Sequence, residues 1–223
     1  MAESFVLLDV GGVLLVPHAS EISSALDLDV TPDLAERAHY HGTAALDATD
    51  GSQPAERDAY LAAYVRSLGI DRPTAIRDLQ RLFSAGNLTL WRQQVEGSFE
   101  ALQRLGRAGR RLAIVSNSDG TVEEQLRRGQ ICQVGEGLGV PVLAIIDSGV
   151  VGVSKPAAEI FRHAIEPLGV EAAACIYVGD TVRYDVMGAR AAGIRPLHFD
   201  PYALCPRRED HAHVRRLGDL ASS

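Results

Sequence analysis

A chain of 223 residues with 46% hydrophobic content is long enough to bury a real core, as one large domain or as a core carrying an insertion. Its formal net charge of -7 excludes the dense Lys and Arg surface that nucleic acids and anionic membranes reward, so neither is expected as a partner. The start, MAESFVLL, has no basic segment or cleavage-like site, and its apolar run is too short to span a bilayer, so a cytoplasmic location is expected.

The first apolar run, FVLLDV (5–10), has the length of a strand buried on both faces, and Asp9 near its end is followed by Gly11 and Gly12. From Pro17 to Glu96 the spacing turns helical, as in Leu61, Tyr64, Val65 and Leu68 and again in Ile76, Leu79, Leu82 and Phe83. Pro32, Gly51, Pro54, Gly69, Pro73 and Gly86 divide this stretch into several helices, and no strand is expected in it. Tyr40, Tyr60, Tyr64, Phe83 and Trp91 fit packing within the helices, with lining of a substrate pocket as the alternative.

Strand-length apolar runs return at RLAIVSN (111–117), VLAIIDS (142–148), CIYVGD (175–180) and PLHFD (196–200). Helical patterns lie between them, carried by Leu102 and Leu105, by Val122 and Leu126, and by Ile160, Phe161, Ala164 and Ile165. Strands alternating with helices imply right-handed crossovers in an open sheet covered on both faces. The predicted fold is α/β: a Rossmann-like parallel sheet made by residues 1–16 and 97–223, with residues 17–96 inserted as an α-helical cap. The end of the chain reads as a tail with one short helix, in which His211 and His213 are solvated surface. Cys132, Cys175 and Cys205 have no CxxC spacing and point to neither a disulfide framework nor a zinc site.

Ligands of open parallel sheets bind at the carboxyl ends of the strands. Here those ends carry Asp9, Ser116 with Asn117, and Asp180 with Asp185 beyond it, and Lys155 follows the third run within a short loop. Each has a structural alternative taken singly: helix caps for Ser116, Asn117 and Asp180, a turn acid for Asp9, a solvated charge for the lysine. Yet Lys155 is the single lysine among 22 basic residues.

Taken together, three carboxylates on one sheet edge repel one another unless a hard cation lies between them, and Mg²⁺ accepts carboxylates, waters and a phosphate oxygen. The set fits a phosphoryl site for a small phosphorylated substrate. Asp9 would be the nucleophile that becomes an aspartyl-phosphate, with Ser116, Asn117 and Lys155 as phosphate-binding groups.

The order of these residues resembles the haloacid dehalogenase (HAD) superfamily. Its four motifs read here as LLDVGGV, IVSNS, GVSKPAAEIF and YVGDTVRYD, each at a predicted strand end and spread over about 175 residues. The resemblance implies a Rossmann-like core with a helical cap after the first motif and the Gly11 carbonyl joining Asp9 and Asp180 as Mg²⁺ ligands. It also implies that Asp185 binds the metal directly or through water.

One position departs from the family's phosphatases, where the residue two beyond the nucleophile is a second aspartate that serves as general acid and base. Gly11 can do neither, and loss of such a group typically costs on the order of 10² to 10⁴ in rate. Four readings stay open. The first is a Mg²⁺-dependent phosphatase whose acid comes from water, the substrate or a cap residue such as His18, His39, His41, Asp47 or Asp50. The second is a phosphonatase, which would need a cap lysine that this chain lacks. The third is a haloacid dehalogenase, whose relatives typically carry a bulky aromatic at Gly11 and lack the acid at Asp180. The fourth is a catalytically weak phospho-ligand binder. Oligomeric state is not set by the sequence.

Overall fold

The computed structural model describes residues 5–49, 51 and 53–222. Its centre is a six-stranded sheet built from β1 (Phe5–Leu8), β4 (Arg111–Ser116), β7 (Ile145–Asp147), β8 (Cys175–Gly179), β9 (Arg195–Phe199) and β10 (His213–Val214). Four short strands form two further pairs: β2 (Leu15–Pro17) with β3 (Trp91–Gln94), and β5 (Cys132–Val134) with β6 (Val140–Val142). The large sheet runs in the order β10-β9-β8-β1-β4-β7 with all of its pairs parallel.

Alternation within β1 explains why the run looks uniformly apolar. Val6 and Leu8 join a cluster with Leu102, Leu105, Leu126 and Val178, while Phe5 and Leu7 join another with Phe161, Ala164, Tyr177 and Ala189 on the opposite face. The helices Ser98–Arg107 and Val122–Arg128 therefore cover one face and Ala158–Ile165 and Met187–Ala191 the other, as a sheet sandwiched in helices requires. This is the expected Rossmann-like α/β core.

Between the two halves of the core lie helices Ala19–Leu26, Pro32–Asp47, Gln53–Ser67, Pro73–Phe83 and Asn87–Leu90. They bury a cluster of their own around Ile22, Leu61, Tyr64 and Leu79, with Phe83 and Trp91 packed against it. The expectation of no strand in this stretch is corrected by β3. Trp91–Gln94 alternates between half-buried and exposed and pairs antiparallel with β2, so the chain leaves and re-enters the core through one short ribbon.

Two other expectations change. The run 142–148 is not one strand: the chain turns at Leu143 and Ala144, so Val140–Val142 pairs with β5 while Ile145–Asp147 pairs with β4. The tail contributes an edge strand, β10, ahead of its short helix Leu217–Ser222. No described helix is long and apolar enough to cross a membrane.

Candidate active site

Asp9 stands just past β1, where its N–H still donates to the Val178 carbonyl at 2.9 Å. The chain then turns sharply: the Val10 carbonyl accepts from Leu14 and Leu15, each at 2.9 Å, and the Gly12 N–H donates to the Leu15 carbonyl at 2.8 Å. Gly12 is the residue this turn requires. It has φ +66°, and a Cβ there would lie 2.1 Å from Asp180 Oδ2 and 2.5 Å from His39 Nε2. Gly11 has no such backbone, and what faces it is the indole of Trp91, 3.3 Å from where a Cβ would be.

The sheet order places β8 beside β1 and β4 on its other side, so the ends of the three strands converge. Asp9, Asp180 and Asp185 are all buried, and one carboxylate oxygen from each lies within 4.8 Å of the others. Lys155 Nζ reaches Asp9 Oδ2 at 2.9 Å and Asp185 Oδ1 at 2.7 Å, and also donates to the Tyr177 hydroxyl at 2.8 Å. Asp185 follows Thr181 in a wide π-type turn and accepts the Thr181 N–H at 2.9 Å and its hydroxyl at 2.6 Å.

Electrostatics separates the three acids. Burial, helped by Asp185 and Asp180 and opposed by Lys155, pushes Asp9 up to about 7. Burial and the Asp185 charge push Asp180 well above the usual carboxylate range. Burial acts on Asp185 too, but the Lys155 ammonium and the Thr181 donors outweigh it and hold the group below its ordinary value. Lys155 is held charged by Asp185 and Asp9 against the cost of its burial.

Ser116 ends β4 and lines a cavity of about 600 Å³ above the three acids. Asn117, expected to bind phosphate, lines the same cavity, and both ends of its amide hold the Lys155 backbone: Nδ2 donates to the Lys155 carbonyl at 3.1 Å and Oδ1 accepts the Lys155 N–H at 2.8 Å. Its side chain therefore sets the position of the lysine. Buried Asp147 accepts the N–H groups of Gly120 and Val122, both at 3.1 Å, which fixes the loop after Ser116.

The helical segment closes the cavity from above. Of the residues weighed as replacement acids, His39 reaches the site: its Nε2 is 2.9 Å from Asp180 Oδ2 and its Nδ1 2.8 Å from the Tyr60 hydroxyl. Burial pushes His39 down to about 4, so the ring is neutral, and its two partners suit a proton on Nε2. Asp47 accepts the N–H groups of Val182 and Arg183 at 2.8 and 3.1 Å, and Arg183 Nε pairs with Glu56 at 2.7 Å. His18 caps its own helix through Ser20, His41 does not line the cavity, and Asp50 lies outside the described residues.

These features carry the geometry of the four motifs, and the family model of haloacid dehalogenase-like hydrolases matches residues 4–193. The chain belongs to that family. As a HAD-like hydrolase it shares its fold with the HAD-hydrolase YfnB of Bacillus subtilis, solved bound to magnesium, at a TM-score of 0.64 and 19% identity over 100% of this chain and 98% of that one. It is 35% identical over 114 residues to a phosphoserine phosphatase of Thermus thermophilus, a match spanning 51% of this chain and 43% of the relative. It is 41% identical over 73 residues to the phospholysine phosphohistidine inorganic pyrophosphate phosphatase of Rattus norvegicus, spanning 33% of this chain and 26% of that one. The chain thus spans less than half the length of these two curated relatives.

Several residues of this HAD site were not singled out by the sequence. Tyr177 stands out only as the one ring in an aliphatic strand, and its hydroxyl also donates toward Val115 at 3.1 Å. Gln125 lines the cavity with a buried Nε2 that has no hydrogen-bond partner, a donor available to a ligand.

Proposed function

We propose that this HAD-like hydrolase is a Mg²⁺-dependent phosphoric monoester hydrolase acting on a small phosphorylated metabolite, with residues 17–96 as its cap and Asp9 as its nucleophile. The observation that carries the reading is the convergence of Asp9, Asp180 and Asp185 with Lys155: one ammonium faces three buried carboxylates. That imbalance calls for a further cation, and an all-oxygen donor set suits Mg²⁺. Asp9, Asp180, Asp185 and the Gly11 carbonyl would hold it, and when bound it would supply charge to the transferring phosphoryl oxygens.

In this reading Asp9 attacks phosphorus, the bond from phosphorus to the leaving oxygen breaks, and an aspartyl-phosphate forms. Water then attacks that phosphorus, releasing phosphate and regenerating the carboxylate. Lys155 stabilises the charge on the phosphoryl oxygens, and Ser116 donates a hydrogen bond to one of them. No side chain at position 11 protonates the leaving group, so the reaction favours leaving groups that depart as weak bases. The pair Asp180 and Asp185 speaks for phosphate chemistry over dehalogenation, and the absence of lysine from residues 17–96 speaks against phosphonate cleavage.

The crowding of Gly11 by Trp91 favours one second reading, a phospho-ligand binder with weak turnover. Phosphate release from a panel of small phosphoesters, with Mg²⁺ or EDTA, in wild type and Asp9→Asn, decides between them. Turnover that needs Mg²⁺ and disappears in Asp9→Asn supports the hydrolase. No turnover alongside tight binding of phosphate supports the binder.

A further inference from the structure

On the far side of Asp180 from the cavity, four side chains converge that the hydrolase reading does not use. His198 on β9, Cys205 in the loop after it, and His211 and His213 at β10 each bring one donor atom within 4.8 Å of the other three. No local pattern signals this cluster. His211 and His213 read as solvated tail and Cys205 as an isolated thiol, because β9, the loop and β10 must fold together before the four meet.

We propose that these four residues form a structural zinc site. A neutral imidazole offers one N–H and one lone pair. His198 Nε2 lies 3.0 Å from the Asp180 carbonyl, which can only accept, so the proton is on Nε2 and Nδ1 carries the lone pair. That lone pair is directed at His211 Nε2, 2.9 Å away, and His211 Nε2 is also 3.6 Å from Cys205 Sγ. His213 Nε2 is buried without a hydrogen-bond partner. The three rings close on one another with centroids 5.0, 5.1 and 4.5 Å apart.

Without a cation, one proton on His211 Nε2 bridges to His198 Nδ1 and His213 Nε2 stays without a partner, whereas a cation among them would engage all four donor atoms. Tetrahedral zinc with bonds of about 2.0–2.1 Å to nitrogen and about 2.3 Å to sulfur separates its donors by roughly 3.3–3.6 Å. The two separations of 2.9 and 3.6 Å are close to that. One thiolate with three imidazoles is a donor set of zinc's softness, unlike the oxygen cluster of the hydrolytic site. Four protein ligands leave no open position, which marks a structural role.

The surroundings are those of a ligating loop. Asp200 accepts the N–H groups of Leu204 at 2.7 Å and Cys205 at 3.1 Å, and the Arg207 N–H points at Cys205 Sγ at 3.4 Å, where it would stabilise a thiolate. The bond from His198 to the Asp180 carbonyl is the outer contact that a ligating histidine makes to fix its orientation. Zinc here would brace the loop that carries Asp180 from behind.

The test is metal content and spectroscopy on the full chain, expressed with zinc supplied and desalted without chelator. About one zinc per chain is expected, retained in Asp9→Asn and lost in Cys205→Ser and His213→Gln. Replacing zinc by Co²⁺ should give the thiolate-to-cobalt charge-transfer band and the intense visible bands of a tetrahedral ion, present in Asp9→Asn and absent in Cys205→Ser. Should the variants fail to fold, the wild-type chain still decides: a chelator should lower its melting temperature and zinc should restore it. Copper in place of zinc, metal lost in Asp9→Asn but kept in Cys205→Ser, or no zinc and no cobalt spectrum would each overturn the assignment.

Discussion

The indole of Trp91 lies over Gly11, so close that a Cβ at Gly11 would be 3.3 Å from Cζ3 of the ring. The strand that returns the chain to the core thus occupies the space beside the nucleophile that a side chain at position 11 would need. A restored acid would have to push the ring aside, and the ring is itself packed against Phe83 and His39.

Gly11→Asp alone is therefore expected to give no gain in phosphatase rate, while Gly11→Asp combined with Trp91→Ala gains about 10²-fold or more on poor leaving groups, the lower end of the general-acid range of about 10² to 10⁴. The check is kcat for an alkyl phosphate beside an aryl phosphate in wild type, Gly11→Asp, Trp91→Ala and the double variant. A full gain in the single variant would show that Trp91 is no obstacle.

The core and the three acids were legible in the sequence because each is a local signal. Strand-length apolar runs announce the sheet, and Asp9, Ser116 and Asp180 each follow one directly. What was not legible depends on contacts across long separations. Asn117 reads only as a polar strand end, and the fold alone shows its amide holding the backbone of Lys155, 38 residues away. Trp91 and Gln93 look like helix residues until Leu15–Pro17 pairs with them. The sequence draws attention to Gly11, yet it is Gly12 that meets Asp180 and His39 closely enough to be irreplaceable.

His39 is expected to act through Asp180. Both its ring nitrogens are engaged, one on Asp180 at 2.9 Å and the other on Tyr60 at 2.8 Å, so neither is free to take a proton from water. His39→Gln should raise the Mg²⁺ concentration needed for half-maximal activity several-fold and leave kcat at saturating Mg²⁺ within about threefold. Activity titrated with Mg²⁺ at fixed substrate separates the two. A large fall in kcat at saturation, with Mg²⁺ affinity unchanged, would instead make His39 the missing acid or base.

Lys155→Met removes the cation that Asp9 and Asp185 share. Breaking a buried ion pair from one side typically costs about 3–5 kcal/mol, although uptake of a proton by Asp9 offsets part of that here. The variant should lose activity and melt lower than wild type in EDTA. It should also show a larger rise in melting temperature on adding Mg²⁺, since the cation would then relieve the repulsion alone. Melting curves with and without Mg²⁺ are the measurement, and an unchanged melting temperature in EDTA would mean that the pair is not a stabilising feature.

The last prediction concerns pH. Asp9 is pushed from its ordinary 3.8 up to about 7, so between those values the native chain holds a proton that the unfolded chain has lost. Stability contributed by protonated Asp9 is therefore fully present below about 4 and declines as pH rises towards 7, at up to about 1.4 kcal/mol per pH unit. His39, pushed down from 6.5 to about 4, acts in the opposite direction over much of that window. Most of its effect cancels when wild type is compared with Asp9→Asn, because burial, which asparagine leaves in place, is the largest cause of the His39 shift and the Asp9 charge a smaller one. In EDTA the variant should thus gain on wild type steadily from about pH 4 to pH 7, as urea midpoints at a series of pH values would show. Saturating Mg²⁺ should stabilise wild type more at the upper end, because it binds the ionised carboxylates. A stability difference independent of pH would mean that Asp9 is already ionised at about pH 4 and that Lys155 neutralises it without help from a metal.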